Sequence, residues 1–288
     1  MLPAVSAVRG TQHWLLGCVL LAAACGPDGA PSARKTVRME HAPRVAAVIR
    51  EDMARHRTGL QRAADRIAAG FVKVEGDQQE REIRQVLKLI RSPKKGVQEL
   101  VISPLSFIAA VGKDGKVIAR DVEPDQMKGM NLGELFPSVK TALGGEQAQE
   151  VGAFASLNKG GKPSVTIILA SPARYRGEVV GALVLGIPLW RMQQRLSKQL
   201  QMEEAGKKPG VVLWVYMYRG DELHHHGTPR DLDLLVPDAK TRKTGLARSA
   251  GGFTGDVQQY GYWYGYGVMP LPSLGPDVGM VIFRMDPQ

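Results

Sequence analysis

Gly177–Pro188 reads GEVVGALVLGIP, and Gly275–Pro287 reads GPDVGMVIFRMDP. Each is an apolar run of strand length opened by a turn glycine. Each follows another apolar run that ends in proline. Pro172, Gly177 and Gly181 recur as Pro270, Gly275 and Gly279, with the same offsets of five and nine residues. Glycine in the turn permits positive φ, and glycine inside the strand permits close backbone approach. Two such units in one register read as an internal repeat.

Working outward from these units, the flanking segments repeat too. Upstream of the first, Phe107–Val111 and Val117–Arg120 are joined by Lys113-Asp114-Gly115-Lys116, and Asp-Gly between apolar runs signals a hairpin. A helical stretch follows from Leu132 to Leu143, ending at Gly144-Gly145. Strands are expected at Val151–Leu157, Ser164–Arg174 and Val179–Ile187, then a helix at Trp190–Glu204. The second half runs in the same order. Val211–Tyr218 and Glu222–His226 form a hairpin, Leu232 to Leu246 a helix or loop, and strands follow at Phe253–Gln259, Tyr262–Pro270 and Val278–Met285.

Before both lobes lies a different texture. Val45, Ile49, Met53, His56, Leu60, Ala64, Ile67 and Phe71 are spaced by threes and fours, one stripe on a helix about 40 Å long. A second helix is expected from Gln78 to Arg91, ended by Ser92-Pro93 because the residue before proline avoids the helical region. The fold class is therefore α+β: a long N-terminal helix, then two lobes, each an antiparallel sheet with flanking helices.

The chain opens with Arg9 and the uncharged run Trp14 to Ala24, too short to span a bilayer but suited to a signal-peptide core. Ala22-Ala23-Ala24-Cys25 resembles the lipobox of bacterial lipoproteins, with Ala22 where Leu is usual. That resemblance implies a signal peptide over 1–24 and lipidation of Cys25, each buried CH₂ of the acyl chains contributing about 0.8 kcal/mol. Gly26 after the cysteine points to the outer membrane, facing the periplasm. A secretory signal with an incidental cysteine is the plainer alternative. Residues 25–43, rich in Gly, Pro and Ser at first, read as a flexible tether. The N-terminal helices then occupy 44–104, the first lobe with its linker helix 105–200, and the second lobe 201–288.

The order of elements resembles the PAS-like fold of Cache domains, extracytoplasmic sensor modules of bacterial receptors. FIAAVGKDGKVIARD (Phe107–Asp121), GMNLGELFPSVKTALGG (Gly129–Gly145) and SVTIILASPARYRGEVVGALVLGIP (Ser164–Pro188) carry the resemblance. It covers 44–200 well and 210–288 more loosely, as a double Cache. It implies a sensor that binds a small ligand and, with no output domain after Gln288, hands its state to a separate envelope signalling protein. A non-catalytic structural module, or a homodimer through the N-terminal helix, is the other expectation.

Composition narrows the classes. The chain has 288 residues, 44% of them hydrophobic, and a net charge of +10. That is too apolar for a disordered chain. Cys18 and Cys25 are the only cysteines, so neither a disulfide scaffold nor a four-thiolate zinc site is available. Residues 34–99 hold 16 Lys+Arg against 9 Asp+Glu, whereas 100–288 hold 21 against 18. The excess thus sits next to the expected anchor, where it faces anionic headgroups or a partner, or forms a solvated helix face. Export argues against nucleic acid as the partner. No G-x-S-x-G, P-loop or dinucleotide fingerprint is present, so no enzyme activity and no cofactor is expected.

Ligand candidates come from strand ends and aromatic strands. Arg120-Asp121 and Arg174-Tyr175 sit where Cache pockets open, and Arg174 can clamp a carboxylate. Solvated turn arginines are the ordinary reading. In the second lobe the candidates are Trp214 and Tyr216 on one strand and Tyr262, Tyr264 and Tyr266 on another, the last three facing one way. Within His224-His225-His226 only His224 and His226 share a face and can share a metal. No further ligand motif accompanies them, which favours ordinary hairpin histidines.

Overall fold

The computed structural model describes residues 29–101, 103–154 and 162–287. The expected signal peptide and Cys25 lie outside the described residues. Helix α1 (Gly29–Thr36) passes through a π-helical turn (Val37–His41) into α2 (Ala42–Ile67), which closes in a 3₁₀ turn (Ala68–Phe71). All eight members of the apolar stripe are buried. They pack on one face of the first sheet, together with α3 (Gly76–Ile90) and the short α4 (Gln98–Val101). The stripe expected to pair helices between two copies is therefore used inside one copy. Ile49 and Leu60 have no exposed surface.

The first sheet contains β1 (Phe107–Gly112), β2 (Val117–Arg120), β3 (Ala148–Phe154), β4 (Ser164–Tyr175) and β5 (Glu178–Pro188). Helices α5 (Leu132–Leu135) and α6 (Pro137–Leu143) cross between β2 and β3. The single helix expected there is split at Phe136, whose extended backbone precedes Pro137. Helix α7 (Leu189–Ala205) leads to the second sheet: β6 (Val212–Arg219), β7 (Glu222–His224), β8 (Phe253–Gln259), β9 (Tyr262–Pro270) and β10 (Val278–Met285). Helices α8 (Arg230–Asp233) and α9 (Ala239–Arg248) take the place of α5 and α6.

The sheet orders are β2-β1-β5-β4-β3 and β7-β6-β10-β9-β8, the same topology twice. Every neighbouring pair is antiparallel. The repeated sequence units are β5 and β10, the central strand of each sheet. Central strands are covered on both faces, which is why these two read as continuous apolar runs. The β4–β5 turn is Arg176-Gly177, both at positive φ (52° and 87°), the two-residue hairpin whose twist matches the strands.

One apolar core runs through both lobes, formed by α2, α3, α7 and one face of each sheet. We call these the back faces. Two charged clusters tie the helices across it. The Arg195 guanidinium donates two hydrogen bonds to the buried Asp52 carboxylate, at 2.7 and 2.9 Å, joining α7 to α2. Buried Arg284 on β10 donates to Glu204 of α7 at 2.6 Å and to His41 Nε2 at 2.7 Å, and pairs with Asp286 at 2.8 Å.

Residues 29–43, expected within a flexible tether, are helical instead. Ala30, Ala33 and Val37 are buried. The reason lies on β9, whose sequence YGYG (Tyr264–Gly267) alternates tyrosine and glycine. A Cβ on Gly265 would lie 2.8 Å from the Ala33 carbonyl carbon, and one on Gly267 would lie 2.7 Å from Val37. The glycines form a trough in which α1 lies against the strand. Arg34 Nη1 completes the contact with a 2.6 Å bond to Asp256. Among the described residues no helix is long and apolar enough to cross a membrane.

Candidate ligand-binding site

Each sheet has a second, front face, covered by the helices between its hairpin and its edge strand. The two front faces occupy equivalent places and differ in chemistry. On the first lobe, Phe107, Ala109, Val111, Leu132, Phe136, Val139, Ile168 and Val184 form an apolar cluster. Phe154 packs edge-on to Phe107 at 5.4 Å and against Phe136 at 4.7 Å. Cores of this kind are filled by such side chains, not by ligand.

On the second lobe the equivalent strands carry Trp214, Tyr216 and Tyr218 from β6, Tyr264 and Tyr266 from β9, and Phe283 from β10. Alternation along β6 sends Leu213, Val215 and Met217 to the back and the three aromatics to the front. Tyr216 meets Phe283 edge-on at 5.9 Å, and Tyr266 lies against the same ring at 5.8 Å. His225 stacks on Tyr216 at 4.8 Å. Its Nε2 is 3.2 Å from Asp233, and its Nδ1 meets the Thr228 hydroxyl. The Tyr216 hydroxyl is buried beside Thr228 and Asp233 without a hydrogen bond of good geometry. Burial lifts its phenol well above the ordinary value, so it stays protonated.

Next to this cluster, under α9, lies a cavity of about 360 Å³. Its inner wall includes Tyr218, Arg242 and Val278. Arg242 is 3% exposed and its guanidinium lies 4.6 Å from the Tyr218 ring centre. Nη1 donates to the Pro237 carbonyl at 2.6 Å and Nη2 to the Gly220 carbonyl at 2.8 Å. Arg242 Nε and the Tyr218 hydroxyl are buried and have no partner. Burial raises the Tyr218 phenol, which is therefore a neutral donor, and lowers Arg242.

A larger cavity, about 570 Å³, lies beside the contact of the N-terminal helix with the second lobe, lined by Val37, Arg38, Pro43, Phe253, Met269 and Met280 among others. None of its lining residues holds a buried polar atom without a partner. The smaller cavity is bordered by two residues, Tyr218 and Arg242, that each hold one.

No protein-family model matches the chain, and no curated protein matches it. Solved structures do. The sensor domain of the V. cholerae histidine kinase DctB aligns over 87% of this chain and 96% of its own, at 13% identity and a TM-score of 0.53. The ligand-binding domain of the Campylobacter jejuni chemoreceptor Tlp3 in complex with 4-methylisoleucine aligns over 89% and 92%, at 10% identity and a TM-score of 0.55. The sensory domain of the same receptor with isoleucine bound aligns over 90% and 96%, at 11% identity and a TM-score of 0.52.

The chain has the double Cache fold.

In the first Cache lobe the expected ligand residues are bound to their own chain. Asp121 accepts from the Ile108 amide at 2.8 Å and pairs with Arg91 at 3.0 Å, and burial raises its carboxyl above the ordinary value in spite of that partner. Arg120 donates to the Pro124 carbonyl at 2.7 Å and lies 3.4 Å from Asp125. Arg174 holds the Gly145 and Gly177 carbonyls at 2.9 and 3.3 Å. Tyr175 packs at the margin of the back-face core. These residues do not converge on the first front face.

In the second Cache lobe Tyr216, Tyr264, Tyr266 and half-buried Trp214 do converge. Tyr262, expected beside them, is 49% exposed near the start of β9, beyond the helices. His224 and His226 are not brought to a shared site. His224 Nε2 is buried without a hydrogen bond, 4.0 Å from Glu222, while the exposed His226 lies against Trp190 at 5.3 Å. No group of three or more His, Cys, Asp or Glu side chains able to hold a metal occurs among the described residues. Sequence reasoning missed Tyr218, His225 and Arg242. Tyr218 was within reach, being in phase with Trp214 and Tyr216. Arg242, in the polar stretch TRKTG, carries no signal that distinguishes it from a surface arginine.

Proposed function

We propose that this chain is an exported, lipid-anchored Cache-type sensor or binding protein that recognises a small extracytoplasmic ligand and passes its state to a separate partner. It works without catalysis. The observation that carries the reading is the contrast between the two front faces. The first is packed with aliphatic side chains and phenylalanines, whereas the second carries tyrosines, a tryptophan and a histidine, whose polar tips suit a small ligand, with a cavity of about 360 Å³ beside them.

The fold also supports a route outward. Strand β9 carries Tyr264 and Tyr266 on its front and α1 in the glycine trough on its back. A ligand that moves β9 therefore moves the helix nearest Cys25, and the basic N-terminal segment places that helix beside anionic headgroups or a partner. The solved structures named above are sensor and ligand-binding domains, which agrees with this reading.

Thermal unfolding of the exported chain against organic acids, amines, amino acids and purines tests the proposal. A ligand at a hundred times its Kd stabilises by about 2.7 kcal/mol. At least one class raises Tm; no shift from any class removes the sensor reading. In the host, Cys25→Ser moves the chain from the membrane to the soluble fraction.

A further inference from the structure

We infer that the tip of the β8–β9 hairpin, with Tyr260, Tyr262 and the nearby Leu234, is a contact surface for the lipid bilayer in which the acyl chains of Cys25 sit. This rests on the anchored reading above and adds how the second lobe stands on the membrane.

Helix α1 places the tip. Ala33 and Arg34 lie over Gly265 and Val37 lies over Gly267, so α1 and β9 run in the same direction. Going back from Ala33 to Gly29 covers about 6 Å of helix, and going back from Gly265 to Trp263 covers about 7 Å of strand. Gly29 is therefore about level with Trp263. The hairpin extends about 7 Å farther, to the Tyr260-Gly261 turn. Cys25 is four residues before Gly29, a reach of at most about 14 Å. A lipidated Cys25 thus keeps this end of the second lobe near the membrane surface, and the turn projects past Gly29.

The chemistry of the tip suits that surface. Leu234 is 86% exposed and Tyr260 71%, the two most exposed large hydrophobic side chains among the described residues. The Tyr260 hydroxyl donates to Asp231 at 2.7 Å, and Leu234 is one helical turn on from Asp231, so the two belong to one patch. Tyr262 is on the same front side as Tyr264 and Tyr266, and half-buried Trp263 is on the back. Tyrosine and tryptophan join an apolar body to a polar tip and concentrate where a bilayer meets water. Residues 257–276 carry no charge, whereas the turns after β1, β4 and β6 contain Lys113-Asp114, Arg176 and Asp221. Of the carboxylates nearby, Asp231 is engaged by Tyr260 and Asp256 by Arg34. Arg230 and Lys35 are exposed and form no ion pair among the described residues, which suits anionic headgroups. The contact orients the lobe while the acyl chains hold it, so loss of Cys25 still releases the chain.

The test uses the full chain, its acylation read by mass spectrometry, in vesicles of phosphatidylethanolamine and phosphatidylglycerol. Tyr260→Trp puts a fluorescent reporter at the tip. Arg176→Trp puts one in the matching β4–β5 turn of the first lobe, which lies toward the other end of the roughly 39 Å helix α2, where Phe71 packs over Gly181. The emission added by Tyr260→Trp shifts to the blue, and it falls at least twofold when the acyl chains carry bromine. The emission added by Arg176→Trp does neither. Leu234→Ser with Tyr262→Ser, made in the Tyr260→Trp chain, leaves Tm unchanged because both side chains are already exposed, and at least halves the quenching. An acylated chain whose tip reporter ignores bromine overturns the contact and leaves the anchor standing. Equal quenching at positions 260 and 176 overturns the orientation, and quenching unchanged by the two serines overturns the assignment to these side chains. A reporter that shifts in host membranes but not in lipid vesicles assigns the tip to a protein and overturns the lipid contact. A mature chain without acyl groups on Cys25 removes the anchored reading itself.

Discussion

Gly265→Ala sets two effects of opposite sign against each other. The backbone at Gly265 is outside the left-handed region, so alanine can adopt it. Through the unfolded chain alone, the substitution would stabilise by about 0.4–1 kcal/mol. In the folded protein the new Cβ would lie 2.8 Å from the Ala33 carbonyl carbon and 2.8 Å from Arg34 Cα. These are main-chain positions of α1, which cannot rotate away as a side-chain tip can. Overpacking of this kind costs about 1–3 kcal/mol. The alternative is for α1 to lift off, and that has a ceiling. The main apolar group lost would be Val37, whose full burial contributes roughly 1.5–3 kcal/mol. Both routes outweigh the unfolded-state gain, leaving a net loss of about 1–2 kcal/mol. The loss is local. Hydrogen exchange followed by mass spectrometry reads it: amides in 29–41 exchange about tenfold faster, since 1.4 kcal/mol is tenfold in an opening constant, while β10 amides keep their protection. Unchanged or greater protection of 29–41 together with a raised Tm would refute the reasoning, because only the unfolded-state term would then be at work.

Two further outcomes follow from buried groups. Burial pulls His56 from its ordinary 6.5 down to about 4, with Asp52 opposing and Arg195 and Arg55 adding to the shift. Between those values the folded protein binds fewer protons than the unfolded chain, so stability is full above about pH 6.5 and is lost as pH falls toward 4, by up to about 3 kcal/mol. Urea midpoints of the parent protein should fall over that range more steeply than those of His56→Leu; parallel slopes would mean that His56 is not held neutral. In the first lobe, Phe136→Ala removes a 3% exposed ring packed on Phe154 and over Gly152, and should cost about 3–5 kcal/mol in urea unfolding. A loss below about 1 kcal/mol would show that this front face is not packed core.

Most strand and helix placement was legible because it depends on local period, although β3 begins at Ala148 rather than Val151 and β7 ends at His224 rather than His226. Strands β8, β9 and β10 begin and end where their apolar and aromatic alternation does, and every residue of the α2 stripe is buried. Over 29–43 the tether reading failed for a non-local reason. GAPSARKT (Gly29–Thr36) offers only the small Ala30 and Ala33 as an apolar face, and its helix rests against Gly265 and, through Val37, Gly267, which come much later in the chain. The helix over 132–143 was found but not its break, where Pro137 constrains Phe136. The aromatic strand was recognised as notable, yet its reading concerned only the tyrosines. The intervening glycines, which dock α1, were the other half of the pattern.

The ionisable residues divide in the same way. Arg120, Asp121 and Arg174 stood at strand ends as the resemblance required, but Arg91, Pro124 and Gly145 hold them to the first lobe's own frame. No local pattern predicts such partners. Arg242 is the converse case, a residue of a polar helix buried because α9 lies across the second sheet over Tyr218.

What the sequence by itself determined was the α+β class, the repeated lobe and the order of its strands, because a buried central strand must be apolar throughout and a packed helix must repeat near 3.6. What fills each front face, where α1 rests, and that Arg242 is buried were decided only by tertiary structure. Filling, docking and charge pairing depend on which distant side chains meet, and the meeting is set by how sheets and helices stack rather than by the spacing of residues along the chain.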